Sequence, residues 1–291
     1  MKVLITGVSG HLGSELFNRL IKNNDIYGTY LTNKPFTSNQ NIFRIDLRNK
    51  QDVISLIKKI KPDYIVHCAA LTNVELCEKN KEEAWASNVI ATKNILDAKA
   101  LNSKIIFIST DYVFDGNKGI YNEQDTANPI NFYGKTKLMG EWLTANAPDS
   151  IVVRTSSLLG HWLGGYVDAI LSGLEKGDIV KGAKDMISSP TLASELAEAI
   201  SNILNFDFSM FAIYHMAGDT RISRYELAKK LADAFGYDSE RIEPTTAKEI
   251  GFKAPRPKDT SLDISKSKSN GITFSKIDNA IIKLKDSYEK K

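Results

Sequence analysis

Cysteine is scarce: only Cys68 and Cys77 occur in 291 residues. That excludes a disulfide framework, and neither sits at metal-ligand spacing. Cys68 lies in the apolar stretch 64–70 and reads as a buried small hydrophobe. Histidine is almost as thin. His11, His67, His161 and His215 are scattered with no i,i+4 pair, so no metal is expected. No apolar run reaches the roughly 18 residues a membrane-spanning helix needs. The first residues read as a strand, not as a charged-then-apolar leader, and the expectation is a cytoplasmic protein with no membrane partner. An excess of one charge is missing too. The formal net charge is +3 and is spread along the chain, whereas a nucleic-acid binder concentrates its basic residues in a patch. Repeats, linkers and low-complexity tracts are absent. What remains, 42% hydrophobic and 25% charged residues, is ordinary for a globular chain with ample core.

What the chain does have begins at its first residues. The apolar run Val3-Leu4-Ile5 leads into Gly7, Gly10 and Gly13, and then into Leu12, Leu16, Phe17, Leu20 and Ile21 at helical spacing. A strand, a glycine turn and a helix form a dinucleotide-binding opening. Glycine permits positive φ and close approach of a pyrophosphate, and the helix N-terminus offers free N–H donors. The spacing is G-x-x-G-x-x-G rather than G-x-G-x-x-G. Three glycines in seven residues also suit a plain tight turn, and it is the placement after a strand and before a helix that favours a nicotinamide cofactor.

Short apolar runs at 3–6, 26–30, 41–45, 64–68, 105–109 and 151–154 alternate with helical patterns at 12–22, 51–60, 81–100 and 133–145. Repeated βα units predict an α/β fold, a Rossmann-type doubly wound parallel sheet. After about residue 155 the pattern loosens, with helices expected near 166–176, 193–204, 224–235 and 275–288. The expected division is a dinucleotide-binding domain over 1–155 and a smaller, mainly substrate-binding lobe over 156–291, with segments returning to the sheet.

Tyr133 and Lys137 stand four apart, on one face of a predicted helix. A tyrosine has a pKa of about 10 and is a poor acid-base group at neutral pH. A neighbouring ammonium would lower that value and let the phenol donate a proton to a carbonyl oxygen as hydride arrives at its carbon. The same spacing recurs at Tyr30/Lys34 and Tyr225/Lys229. Only Tyr133/Lys137 follows a buried strand ending in hydroxyls, Ser109-Thr110, where the crevice of a parallel sheet opens.

These blocks together resemble an extended short-chain dehydrogenase/reductase. Ser109-Thr110-Asp111-Tyr112-Val113-Phe114-Asp115-Gly116, Tyr133-Gly134-Lys135-Thr136-Lys137, Pro190-Thr191 and Arg256-Pro257-Lys258-Asp259-Thr260-Ser261-Leu262 are similar, more narrowly, to the dTDP-4-dehydrorhamnose reductase family. The resemblance implies reduction of the 4-keto group of a nucleotide-linked deoxysugar by NAD(P)H. It implies Tyr133 as proton donor, Lys137 on the nicotinamide ribose, and Thr110, Asp111 and Tyr112 at the sugar. Gly7, Gly10, His11, Leu12 and Gly13 would line the pyrophosphate turn. Asp46 and Leu47 would flank the adenine, Ala69, Ala70 and Leu71 the cofactor further along, and Arg256 the nucleotide side of the substrate. Two departures stand out. Ser157 occupies the place of a family tryptophan that packs on the sugar, with Trp162 a nearby candidate to replace it. No acid follows the second strand, which favours NADPH over NADH. Lys34 would meet the 2′-phosphate or is a solvated loop lysine. A sugar-nucleotide epimerase or dehydratase is the alternative on the same scaffold. So is a non-catalytic NADP-binding subunit resembling the methionine adenosyltransferase β subunit. A homodimer is a further expectation.

Overall fold

The computed structural model describes residues 1–35, 39–100, 102–160, 165–205 and 208–289. Strands β1 (Lys2–Thr6), β2 (Asp25–Tyr30), β3 (Ile42–Arg44), β4 (Tyr64–His67), β5 (Lys104–Thr110) and β6 (Ser150–Thr155) share one sheet. Between them run α1 (His11–Leu20), α2 (Lys50–Ile60), α3 (Val74–Lys79), α4 (Lys81–Trp85), α5 (Ala91–Ala98) and α6 (Phe132–Ala145). The later elements are β7 (Leu158–Leu159), α7 (Tyr166–Glu175), β8 (Val180–Ala183), β9 (Ile187–Ser188), β10 (Thr191–Leu192), α8 (Ala193–Ile203), β11 (Ala212–His215), β12 (Ile222–Ser223), α9 (Arg224–Ala234), β13 (Ile242–Thr245), α10 (Ala247–Ile250), α11 (Ser265–Ser269) and α12 (Ile277–Glu289).

The strand order is β11-β6-β5-β4-β1-β2-β3, with every neighbouring pair parallel. This is the doubly wound Rossmann-type α/β sheet the alternating pattern predicts. From β1 the chain winds outward to β3, then returns to β4 on the other side. The crevice therefore opens at the carboxyl ends of β1 and β4, where the winding reverses. Val3, Leu4, Ile5, Ile65, Val66, Ile105, Ile106 and Phe107 are buried, because helices cover both faces of a parallel sheet. On α1 the buried stripe is Leu12, Leu16, Phe17 and Leu20.

Two features differ from the sequence expectation. The stretch 81–100 reads as one helix but is interrupted by a π-helical turn over Ala86–Ile90, and α5 ends at Ala98. The turn carries Asn88, whose buried side chain bonds out of the helix, and π-turns recur where a side chain is re-aimed for function. The sequence reading also missed the short helices α3, α10 and α11, strand β11 and the short ladders β7·β10, β9·β12 and β8·β13. Strands of two to four residues are too short to show a period of two.

One core joins Leu16 and Phe17 of α1 to Leu196, Ile200 and Ile203 of α8 and to Met216 beyond β11. A second, built from residues beyond β6, holds Leu159, Val167, Leu227, Leu231, Ile242, Ile281 and Leu284. Among the described residues no helix is long and apolar enough to cross a membrane. No group of three or more His, Cys, Asp or Glu among them is placed to hold a metal.

Candidate active site

The crevice is a cleft of about 820 Å³. Its floor starts at the glycine turn. Gly7 has φ of 72°, which a side chain rarely adopts, and a Cβ at Gly13 would land on the Gly7 carbonyl oxygen. The turn therefore closes onto the first turn of α1 with no room for a side chain. Asparagine or serine side chains cap α2, α3, α4, α6 and α9, but no side chain caps α1. An uncapped helix start beside bare backbone suits an anionic pyrophosphate. Gly7, Gly10, His11, Leu12 and Gly13 all line the cleft.

Asp46, Leu47, Ala69, Ala70 and Leu71 line it further along. Arg48 takes up the Asp46 carboxylate at 2.7 Å and that of Glu83 at 2.7 Å. The hydrogen bond from Arg48 holds the Asp46 carboxyl below its ordinary pKa. Lys34 is exposed and does not face the cleft, so the structure does not bring it to the cofactor-site residues. Cys68 lines the cleft half-buried rather than lying in the core as expected, and burial pushes its thiol up to about 12.

The candidate reacting groups line the cleft by the end of β5. Thr110, Asp111, Tyr112, Tyr133 and Lys137 line one stretch of the cleft. Asn131 begins α6 by accepting the Gly134 N–H at 2.9 Å, while its amide reaches the Pro255 carbonyl at 3.1 Å. A Cβ at Gly134 would collide with the Tyr112 carbonyl, so glycine there lets α6 start hard against the Thr110–Tyr112 segment. Tyr112 and Tyr133 then meet edge to face, with ring centroids 6.2 Å apart.

Tyr133 does not behave as the spacing argument expects. Burial pushes its phenol above the ordinary tyrosine value, with the Thr110 hydroxyl working the other way. The Lys137 ammonium sits 4.1 Å from the Phe107 ring centroid. Burial pushes Lys137 down to about 8, opposed by the charge of Glu141. Desolvation thus dominates both groups. Asp111 is buried and takes hydroxyls from Thr260 at 2.6 Å, Ser156 at 2.7 Å and Thr110 at 3.0 Å. Burial raises its pKa against those bonds. Its carboxylate is thus shared among three hydroxyls, one of them that of Thr110. Arg256 lines the cleft with its guanidinium on Glu75 at 2.8 Å and over the Phe252 ring at 4.4 Å. Ser157 lines it too, its hydroxyl 3.1 Å from that of Ser188. Trp162 lies outside the described residues.

Sequence reasoning missed two positioning residues. Asn88 clamps Leu71, accepting its N–H at 2.7 Å and donating to its carbonyl at 3.0 Å, and donates to Thr136 at 2.9 Å. His67 is buried between two threonines. Thr92 donates to the Asn88 carbonyl at 2.6 Å, so it accepts from His67 Nε2–H at 3.0 Å. That leaves Nδ1 to accept from Thr6 at 2.7 Å, and Thr6 in turn accepts the Ala69 N–H at 3.1 Å. Burial, helped by the charge of Lys137, lowers His67 to about 3 and keeps it neutral. The Ala69–Leu71 wall is therefore tied at both ends to Asn88. Apart from Thr92 and Asn88, four apart, the bonded partners lie 17 to 63 residues apart, so no local pattern announces them.

Known proteins carry the same architecture. Methionine adenosyltransferase 2 subunit beta from Danio rerio is 31% identical over 285 residues, covering 94% of this chain and 85% of its own. A dTDP-4-dehydrorhamnose reductase from Aggregatibacter actinomycetemcomitans is 31% identical over 277 residues, 91% of each chain. The solved structure of dTDP-4-dehydrorhamnose reductase from Bacillus anthracis str. Ames, in complex with NADP, matches with a TM-score of 0.88 at 28% identity, over 97% of this chain and 98% of that one. The family profile described as the RmlD substrate binding domain matches residues 1–289, and the chain belongs to that family.

Proposed function

We propose that this protein is an NADPH-dependent reductase acting on the 4-keto group of a nucleotide-linked deoxysugar, of the dTDP-4-dehydrorhamnose reductase type. One observation carries the reading: Thr110, Tyr133 and Lys137 line the same cleft as the uncapped glycine turn. The family membership and the NADP-bound relative support it. The cradle fits a dinucleotide, since the glycine turn packs too tightly for side chains and brings the uncapped start of α1 to the cleft, where a pyrophosphate would lie.

A bound nicotinamide supplies the hydride that turns the keto carbon into a carbinol. The chain's own residues manage the oxygen. Tyr133, kept protonated by burial, donates its phenolic proton there. Thr110, held by Asp111, orients the same oxygen. Lys137 places a cation beside the cofactor ribose and the phenol. Gly7, Gly10, His11, Leu12 and Gly13 bind the pyrophosphate, Asp46 and Leu47 flank the adenine, and Ala69, Ala70 and Leu71 form the wall behind the ring. Asp111, Tyr112 and Arg256 serve the substrate.

The test is loss of NADPH absorbance across a panel of 4-keto nucleotide sugars, dTDP-linked ones first. Stoichiometric consumption with a 4-hydroxy product is expected. A protein that binds NADPH yet consumes none with any substrate in the panel overturns the reductase reading in favour of a regulatory subunit.

A further inference from the structure

Four arginine or lysine side chains line the cleft: Arg48, Lys137, Arg224 and Arg256. Three have evident occupations. Arg48 is closed on Asp46 and Glu83, Arg256 on Glu75, and Lys137 sits over the Phe107 ring. Arg224 is different. Among the described residues no carboxylate lies within ion-pair distance of it.

Its backbone is fastened nonetheless. The Arg224 N–H donates to the Met186 carbonyl at 2.9 Å, and its own carbonyl accepts the Tyr166 hydroxyl at 2.8 Å. The guanidinium lies over the Tyr166 ring, 5.1 Å from the centroid. Stacking orders the planar fork and leaves its N–H edge able to meet oxygens. The neighbouring wall adds hydroxyls and no negative charge: Ser157 and Ser188 pair there. Gly165, which starts α7 without a side-chain cap, lines the same part of the cleft.

An ordered guanidinium with no internal counter-ion, in a cleft where the other arginines are neutralised, is built for an anion that arrives from outside. We propose that Arg224, held on Tyr166, binds the diphosphate of the nucleotide-linked substrate from the C-terminal lobe and so helps to determine substrate specificity. This rests on the reductase reading for its choice of ligand. The anion chemistry itself rests on the geometry alone.

The experiment titrates dTDP, and separately inorganic pyrophosphate, into the full chain saturated with NADPH, by calorimetry. Wild type is compared with Arg224→Gln, Arg224→Lys and Tyr166→Leu, and KM and kcat are measured beside the affinities. Arg224→Gln is expected to weaken dTDP and raise the nucleotide-sugar KM by about 10- to 100-fold, the worth of a charge-assisted hydrogen bond. The Kd for NADPH should stay within about twofold, since this wall faces the substrate. Arg224→Lys and Tyr166→Leu should fall between, because each loses the flat stacked geometry but keeps a cation. If KM rises while dTDP and pyrophosphate bind as before, Arg224 meets an anionic group on the sugar, and the diphosphate assignment falls. Unchanged KM and Kd values in folded Arg224→Gln overturn the site altogether, as does a loss confined to NADPH. Arg224-dependent dTDP binding without turnover of any 4-keto sugar would sink the reductase reading and leave this site standing.

Discussion

At the scale of single residues, the proposed chemistry turns on one phenol whose environment is drier than its sequence neighbours suggest. Burial raises Tyr133, so at neutral pH the group is a stored proton rather than a phenolate. That suits a donor in the reducing direction. Tyr133→Phe removes the proton and leaves the cleft's shape, so turnover should fall about 10²–10⁴-fold with NADPH affinity nearly intact. Fluorescence titration of NADPH alongside kcat checks both halves. Lys137 sets a second expectation. Its ammonium is pushed down to about 8, so it loses its proton as pH rises through that value. If the cation is needed, kcat/KM should fall above about pH 8 with a single deprotonation, and Lys137→Arg should move that limb alkaline. The glycines and the Tyr133/Lys137 pair were legible because each is a local spacing with a local reason. His67 and Asn88 were not, since their partners come from other elements. Lys34, read either as a partner of the 2′-phosphate or as a solvated loop lysine, is exposed.

At the scale of elements, the π-turn over Ala86–Ile90 is the clearest case of tertiary need prevailing over helical regularity. Asn88 makes three side-chain hydrogen bonds from it, two of them to Leu71. Asn88→Ala strands the Leu71 N–H and carbonyl in a part-buried site, at a cost of about 1–3 kcal/mol for unmade bonds. We expect a lower melting temperature and a cofactor KM that rises more than kcat falls. Asn88→Asp, which can still accept from the Leu71 N–H, should restore part of the cofactor affinity. An Asn88→Ala variant that loses stability alone would make the turn scaffolding without influence on the cofactor wall. Helices with strong apolar stripes, such as α1 and α8, were readable to within a residue or two of their ends. The two-residue ladders were not, because they exist only through their partners.

At the scale of the whole molecule, two buried histidines link the fold to pH. His67 and His215 are both lowered to about 3, in each case mainly by burial. His215 is further held by Arg154, whose guanidinium also binds Glu141 at 2.7 Å in the interior. An unfolded chain protonates its histidines near 6.5, while the native protein resists until about 3. Between those values the unfolded state binds more protons, so stability is complete above about pH 6.5 and drains away as the solution is acidified. Thermal melts from pH 7.5 to 5 should show a falling midpoint, and His67→Gln should flatten the fall. A midpoint indifferent to pH across that range would contradict the buried neutral state. The sheet's existence and parallel sense could be inferred from sequence, since alternating strands and helices leave few topologies. The return of β11 to its edge could not, because a four-residue strand separated from β6 by more than fifty residues leaves no local trace.

That return shapes how such enzymes can be recombined. α8 and β11 come from the second half of the chain, yet they complete the hydrophobic interior around α1, the helix that begins at the glycine turn. A chimera spliced near residue 155 to borrow a relative's specificity would also import foreign packing beneath its own nucleotide cradle. Grafts that keep residues 193–217 and 262–274 native, and exchange only the segments outside them, leave that shared interior intact.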